Sequence, residues 1–169
     1  GKIEKNYGVS AEILACDLSK GQSAEEVFTF CEEKGAEISA LVNNAGFGDF
    51  GEFFRADINK LTDMVQVNDM TLMRLTRLIL PQMAERKSGK ILNVASVASF
   101  APGALMSVYY ASKAFVLSFS EALAVEMKPY GVSVTALCPG PTKTGFENAA
   151  SLQKSGLFKN LKNADAAKT

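Results

Sequence analysis

The sequence predicts an α/β protein built on a doubly wound parallel sheet with helices on both faces. Two observations carry this. Four short apolar runs alternate with longer segments of helical period, as in chains of β-α-β crossovers. The residues just after each run are polar or glycine, and in open parallel sheets the strand carboxyl ends line a shared ligand crevice.

Taken in order, residues 1–8 are polar and read as the tail of a helix. Residues 12–16 (E-I-L-A-C) form the first apolar run and end at Asp17-Leu18. Residues 23–34 have helical period, and residues 38–42 (I-S-A-L-V) form a second run ending at Asn43-Asn44-Ala45-Gly46. A long amphipathic pattern covers 58–83, followed by the run 90–94 (K-I-L-N-V) and Ala95-Ser96. A further helix is expected over 109–128, then the run 132–137 ending at Cys138-Pro139-Gly140-Pro141-Thr142. Each run reads as a strand buried on both faces. Residues 145–169 lose the apolar density; a mobile lid over a substrate pocket and a short surface helix are equally compatible with their composition.

At 169 residues, 47% hydrophobic and 21% charged, the chain is expected to be a single core-forming domain spanning 1–169. Eighteen basic residues balance eighteen acidic ones, so there is no electrostatic footprint for nucleic acid. Histidine is absent, which removes Ser-His-Asp and Cys-His catalysis and most zinc ligand sets. Cys16, Cys31 and Cys138 form no C-x-x-C and are expected to be reduced and buried. No stretch of 18 apolar residues occurs and the first eight are not signal-like, so the expectation is a cytoplasmic protein without a membrane span.

Tyr109 and Lys113 stand four apart in V-Y-Y-A-S-K, on one face of the expected helix. A phenol with a pKa of about 10 is a poor acid or base at neutral pH. An ammonium about 4 Å away, at an effective dielectric of about 20, contributes about 4 kcal/mol, enough to lower that pKa by roughly two to three units. The pair alone recurs by chance in roughly one such chain in three, so its surroundings decide. Ser96, at the end of a strand, can donate to a substrate carbonyl oxygen. Asn68 is an amide on an apolar helix face, readable as a backbone-bonding residue or as the anchor of a proton-feeding water near Lys113. Asn43 and Asn44 can tie backbone segments together, and Ala45 and Gly46 allow close approach of a ligand. Asp17 can accept from an adenine amino group or cap the following helix. Phe47, Phe50, Phe53, Phe54, Phe100, Leu105 and Met106 suggest an apolar pocket rim or a piece of core.

Together these positions resemble the short-chain dehydrogenase/reductase family from about residue 8 to about residue 146. The matching pieces are D-L at 17–18, N-N-A-G at 43–46, V-N at 67–68, Ser96, Y-x-x-x-K at 109–113 and P-G-x-x-x-T at 139–144, in order. The resemblance implies a Rossmann-like fold and hydride transfer between NADP, or NAD, and a small-molecule ketone or alcohol, and the apolar rim is compatible with a lipid-like one. It implies Tyr109 as general acid/base and Lys113 as the residue that lowers its pKa and holds the nicotinamide ribose. Ser96 becomes the carbonyl orienter and Asn68 the relay residue. Tyr110 is excluded as the base because its i+4 residue is Ala114. Asp17 and Leu18 are implied as adenine contacts, Asn43, Ala45 and Gly46 as the adenosine-side wall, and Pro139, Gly140, Thr142 and Thr144 as the nicotinamide and pyrophosphate loop. A homodimer or homotetramer pairing the two long helices is also implied.

The family's glycine-rich turn, T-G-x-x-x-G-x-G, does not occur in these 169 residues. Against the family pattern, about sixty residues at the front and a last strand are expected to lie outside the sequence. In the family sheet order 3-2-1-4-5-6-7 this isolates the run at 12–16 and gives the run at 38–42 an unpaired apolar edge. Poor dinucleotide binding and a tendency to associate or misfold are expected of these residues alone, and a non-catalytic interaction module is the alternative function.

Overall fold

The computed structural model describes residues 1–143 and the pair Ala164–Asp165. The elements, in order, are α1 (Lys2–Tyr7), α2 (Ser23–Glu33), β1 (Ala40–Asn43), α3 (Ile58–Val65), α4 (Leu72–Glu85), β2 (Gly89–Val94), α5 (Ser107–Met127), β3 (Val132–Leu137), β4 (Thr142–Lys143) and β5 (Ala164–Asp165). Short 3-10 turns occupy Phe53–Arg55, Val97–Phe100 and Lys128–Tyr130, and a π turn, Gln66–Thr71, joins α3 to α4.

Strands β1, β2 and β3 form a parallel sheet in that order. Leu41 pairs with Ile91, and Ile91 with Val134, so these side chains project to the same face. Helices α4 and α5 cover that face: Leu41, Ile91 and Val132 pack with Ile79, Leu80 and Met83 of α4 and Leu123 and Met127 of α5. Phe28 of α2 joins from outside α4. On the opposite face Val42 is 58% exposed and Leu137 48%. Each strand therefore buries one set of alternate side chains, where the sequence reads as buried on both sides. β4 and β5 form a separate parallel pair.

The run at 12–16 is not a strand. An apolar stretch becomes one only when a neighbour completes its hydrogen-bond ladder, and among the described residues nothing pairs with it. Ile13 is 89% exposed. The segment is instead tethered to α2 by the ion pair of Lys34 Nζ with Glu12 at 3.0 Å and by the Cys16 thiol, 3.4 Å from a Glu26 carboxylate oxygen. The three cysteines are unpaired as expected but only half-buried. Among the described residues no helix is long and apolar enough to cross a membrane.

The entry to β2 is unusually tight. A Cβ on Gly89 would lie 2.6 Å from Met83 Cγ and 2.8 Å from Met83 Cβ, and Met83 is fully buried. The contact reaches the root of the Met83 side chain, so a rotamer change cannot relieve it. Gly89→Ala should destabilise the fold by about 1–3 kcal/mol, measured as a lower urea midpoint with an unchanged slope.

Candidate active site

The carboxyl ends of the three strands are fixed by polar bonds beneath them. Asn43 Nδ2, at the end of β1, donates to Asn93 Oδ1 of β2 at 2.8 Å and to Thr76 Oγ1 of α4 at 3.0 Å. Asn93 Nδ2 in turn donates to Ser120 Oγ of α5 at 2.9 Å. The expectation that Asn43 ties segments together is met through side chains, with Asn93, Thr76 and Ser120 as partners. Beyond the strands, Ala95 N–H donates to Leu137 at 2.8 Å and Val97 N–H to Pro139 at 3.1 Å, which locks Ser96 and the Pro139 loop side by side.

The helix expected over 58–83 is interrupted by the π turn, a widening that adds a residue to the helical repeat and commonly marks functional sites. Asn68, Asp69, Thr71 and Leu72 are all buried. Asn68 is only 1% exposed. Its Oδ1 accepts from Phe47 N–H, while its Nδ2 donates to the Phe47 carbonyl and to Ser112 Oγ, each at 3.0 Å. The backbone-bonding reading of Asn68 therefore holds, and its target is the loop after β1. Thr71 Oγ1 donates to the Leu18 carbonyl at 2.9 Å, so the same turn also holds the Asp17-Leu18 segment.

Asp17 does not cap α2, whose N-cap is Gln22. Its Oδ1 accepts from Ser19 N–H at 3.0 Å and Ser19 Oγ at 2.8 Å, and these bonds hold its carboxyl below the usual range. The turn competes with the cap for the same side chain.

Tyr109 and Lys113 lie on the buried face of α5. The Tyr109 and Ser96 hydroxyls are hydrogen-bonded to each other, and Ser96 Oγ also accepts from Ala98 N–H at 3.1 Å. Lys113 is 5% exposed and its Nζ donates to the Val94 carbonyl, at the end of β2, at 2.8 Å. Its carbonyl accepts from Ser99 Oγ at 2.7 Å. One sequence expectation is reversed here. The ammonium lies 6.0 Å from the centre of the Tyr109 ring and is engaged by Val94. Burial pushes the phenol pKa up, against a smaller downward pull from the Ser96 bond. With its pKa above the ordinary value of about 10, Tyr109 is a neutral phenol at neutral pH. Burial lowers the Lys113 pKa, and the Asp69 charge opposes that fall.

Gly46 packs closely against this group, since a Cβ there would lie 3.0 Å from Asn68 Oδ1 and 3.4 Å from Lys113 Nζ. Phe47, Phe50 and Met106 pack with Tyr109, Leu61 and Met64, whereas Phe53, Phe54 and Phe100 are exposed and Leu105 is partly so. Loops 47–56 and 101–106 are latched by Gly51 N–H donating to the Leu105 carbonyl at 2.8 Å, with Leu105 in the left-handed region at φ 64°. Tyr110 is a packing residue: its ring meets Tyr109 edge-on and lies against the Gly103 backbone. Thr142 falls in β4. Thr144 lies outside the described residues, as does the expected lid over 145–169 apart from Ala164–Asp165.

Sequence reasoning missed Asp69, Ser112 and Ser120. Asp69 falls at the edge of the stripe formed by Leu61, Met64, Asn68 and Leu72, where a carboxylate is ordinarily read as solvated. The i, i+4 pair of Val116 and Ser120 and the Ser96/Ser99 cluster gave no sign of their partners.

A family model described as short chain dehydrogenase matches residues 1–155. The very-long-chain 3-oxoacyl-CoA reductase of Anas platyrhynchos is 38% identical over 143 residues, covering 82% of this chain and 46% of that protein. The 17-beta-hydroxysteroid dehydrogenase type 3 of Mus musculus is 34% identical over 142 residues, covering 82% and 45%. The chain thus spans about half the length of the curated relatives it matches. Among solved structures, a short-chain dehydrogenase from Sphingobium yanoikuyae in complex with NADPH superimposes with a TM-score of 0.88 at 30% identity, covering 99% of this chain and 64% of that one.

Asp69 makes a stability prediction of its own. It is 8% exposed, and burial raises its pKa from 3.8 to about 6, partly offset by Lys113. A raised carboxyl pKa favours the folded state while the group is protonated, and that contribution is lost as pH rises through about 6. Asp69→Asn should therefore stabilise the protein by about 1–3 kcal/mol at pH 8 and by roughly half as much at pH 5, read from thermal unfolding at the two pH values.

Proposed function

Because the chain belongs to the short-chain dehydrogenase family, we propose that it is an NADP(H)-dependent oxidoreductase interconverting a ketone and a secondary alcohol, with Tyr109 as general acid/base. The observation that carries this reading is the hydrogen-bonded Tyr109–Ser96 pair at the carboxyl end of β2, with buried Lys113 one helical turn along.

The residues present fit a dinucleotide at the strand ends. Gly46 leaves the main chain beside Asn68 and Lys113 uncovered. Asn44, Ala45 and Gly46 are exposed at the end of β1. In this reading Tyr109 and Lys113 hold the nicotinamide ribose, Ala45, Gly46 and the Asp17-Leu18 turn flank the adenosine side, and Pro139, Gly140, Thr142 and Thr144 serve the pyrophosphate and carboxamide. NADP(H), when bound, supplies or accepts the hydride. NADP is preferred to NAD on the strength of the NADPH complex of the Sphingobium protein.

The remaining chemistry belongs to the chain. Ser96 accepts from Ala98 and keeps its own proton for donation, so it can orient a carbonyl oxygen toward Tyr109. Tyr109, a neutral phenol whose pKa burial raises further, is poised to donate its proton as an alkoxide forms. The lysine ammonium stabilises the phenolate left behind, electrostatics acting strongly in so dry a site. Asn68 fixes the Phe47 loop on which this alignment depends, and the relay role is proposed for Asn68 itself.

The substrate is proposed to be a bulky apolar ketone. Phe47, Phe50 and Met106 pack around Tyr109, and the relatives named above act, by their names, on long acyl chains or steroids. A homodimer or homotetramer is proposed from the apolar residues that the long helices leave exposed, Val65 and Met70 on one side and Phe115 and Val125 on the other.

In the full-length protein, Tyr109→Phe should lower kcat by about 10²–10⁴-fold while leaving NADPH affinity, followed by fluorescence titration, nearly unchanged. Unaltered turnover would reject the mechanism and favour a non-catalytic role.

A further inference from the structure

Asp69 is absorbed by none of the roles above. It follows Asn68 in the π turn, its side chain is buried, and its Oδ1 has no hydrogen-bond partner among the described residues. An ionised oxygen left in this state is costly, so the position asks what retains it. The neighbouring segments narrow the answer. On the α3 side Lys60 is paired with Asp49, and on α4 Arg74 is held by Glu25. On the Leu18 segment Asp17 is exposed and tied to Ser19 and Lys20. On α5 Tyr109 is neutral, and Lys113 is the charged group that acts on Asp69. Lys113 is itself buried, with the neutral Val94 carbonyl as its hydrogen-bond acceptor. Lys113 Nζ reaches the turn that carries Asp69: a Cβ on Gly46 would lie 3.0 Å from Asn68 Oδ1 and 3.4 Å from Lys113 Nζ, so two buried groups of opposite charge, one with an unpartnered acceptor oxygen, sit at the same turn.

We propose that Asp69 is a positioning residue for the proton-transfer site: its carboxylate keeps the Lys113 ammonium charged in a dry interior that otherwise favours the free amine. The inference rests on the catalytic reading of Tyr109 and Lys113 for its consequence, though not for the interaction itself. It explains why a residue that opposes folding above pH 6 sits on the turn that builds the site, a trade of stability for function. Asp69 is buried beside Asn68 on the π turn, and Asn68 is bonded to Ser112, the residue that precedes Lys113 on α5.

The sign of the effect is fixed. Removing the negative charge lets burial lower the Lys113 pKa further, by about one unit or more for a single neighbouring charge. The test is a ¹³C NMR titration of the full-length protein with lysine labelled at Cε, the Lys113 resonance being assigned by its loss in Lys113→Gln. In Asp69→Asn and in Asp69→Ala, Lys113 should deprotonate at a pH lower by about one unit or more, and Asp69→Glu should restore the wild-type midpoint. The alkaline limb of kcat/KM for ketone reduction should move down by the same amount, with activity below pH 7 little changed. An unchanged Lys113 midpoint in either folded neutral variant overturns the proposal, as does a uniform loss of activity at every pH with no movement of the limb. If Tyr109→Phe turns over like the wild type, the catalytic reading fails, and the Lys113 midpoint still judges the Asp69 interaction by itself.

Discussion

The site depends on one side-chain amide. Asn68 grips the Phe47 peptide from both sides and binds Ser112 of α5, so three segments distant in sequence meet at a single residue. Each bond contributes about 0.5–1.5 kcal/mol, but the larger effect is geometric. The Phe47 loop carries Gly46, and Ser112 stands between Tyr109 and Lys113. Fixing both fixes where a ligand at the end of β1 lies relative to the phenol.

The polar network around it has the same logic. Asn43, Asn93, Thr76 and Ser120 form a chain of bonds beneath the strand ends, at a depth where an apolar core would be cheaper. Its members are mutually satisfied, which rigidifies the platform on which Ser96 sits. Farther along the strands the core becomes fully apolar, with Ile91, Met83 and Val132 at its centre. Stability comes from that end of the sheet, while the other end is given over to polar geometry and to a buried carboxylate that opposes folding when ionised.

Much of this was legible in the sequence. The runs at 38–42, 90–94 and 132–137 became β1, β2 and β3 within two residues, because β-rich apolar runs between long amphipathic helices leave few alternatives. The segment at 12–16 has the same composition and failed, since a strand is a property of two neighbours and composition reports only one. Tyr109, Ser96 and Lys113 do converge, as their spacing suggested. Their electrostatics were not legible. The reading placed the ammonium against the phenol oxygen, whereas a backbone carbonyl of β2 engages it and burial dominates the phenol. Desolvation depends on how deep a helix face sits, which i, i+4 spacing cannot express. Asp69 was hidden because a carboxylate at the edge of an apolar helix stripe ordinarily reads as solvated.

The claim that Asn68 locks the site together is tested most directly by hydrogen exchange at the Phe47 amide. Because that N–H has Asn68 Oδ1 as its acceptor, Asn68→Ala should speed its exchange by at least about tenfold, the size expected for one lost buried bond, while the amides of β2 keep their protection. Equal Phe47 exchange in the two proteins would contradict the account, since the loop would then be held by something other than the amide of Asn68.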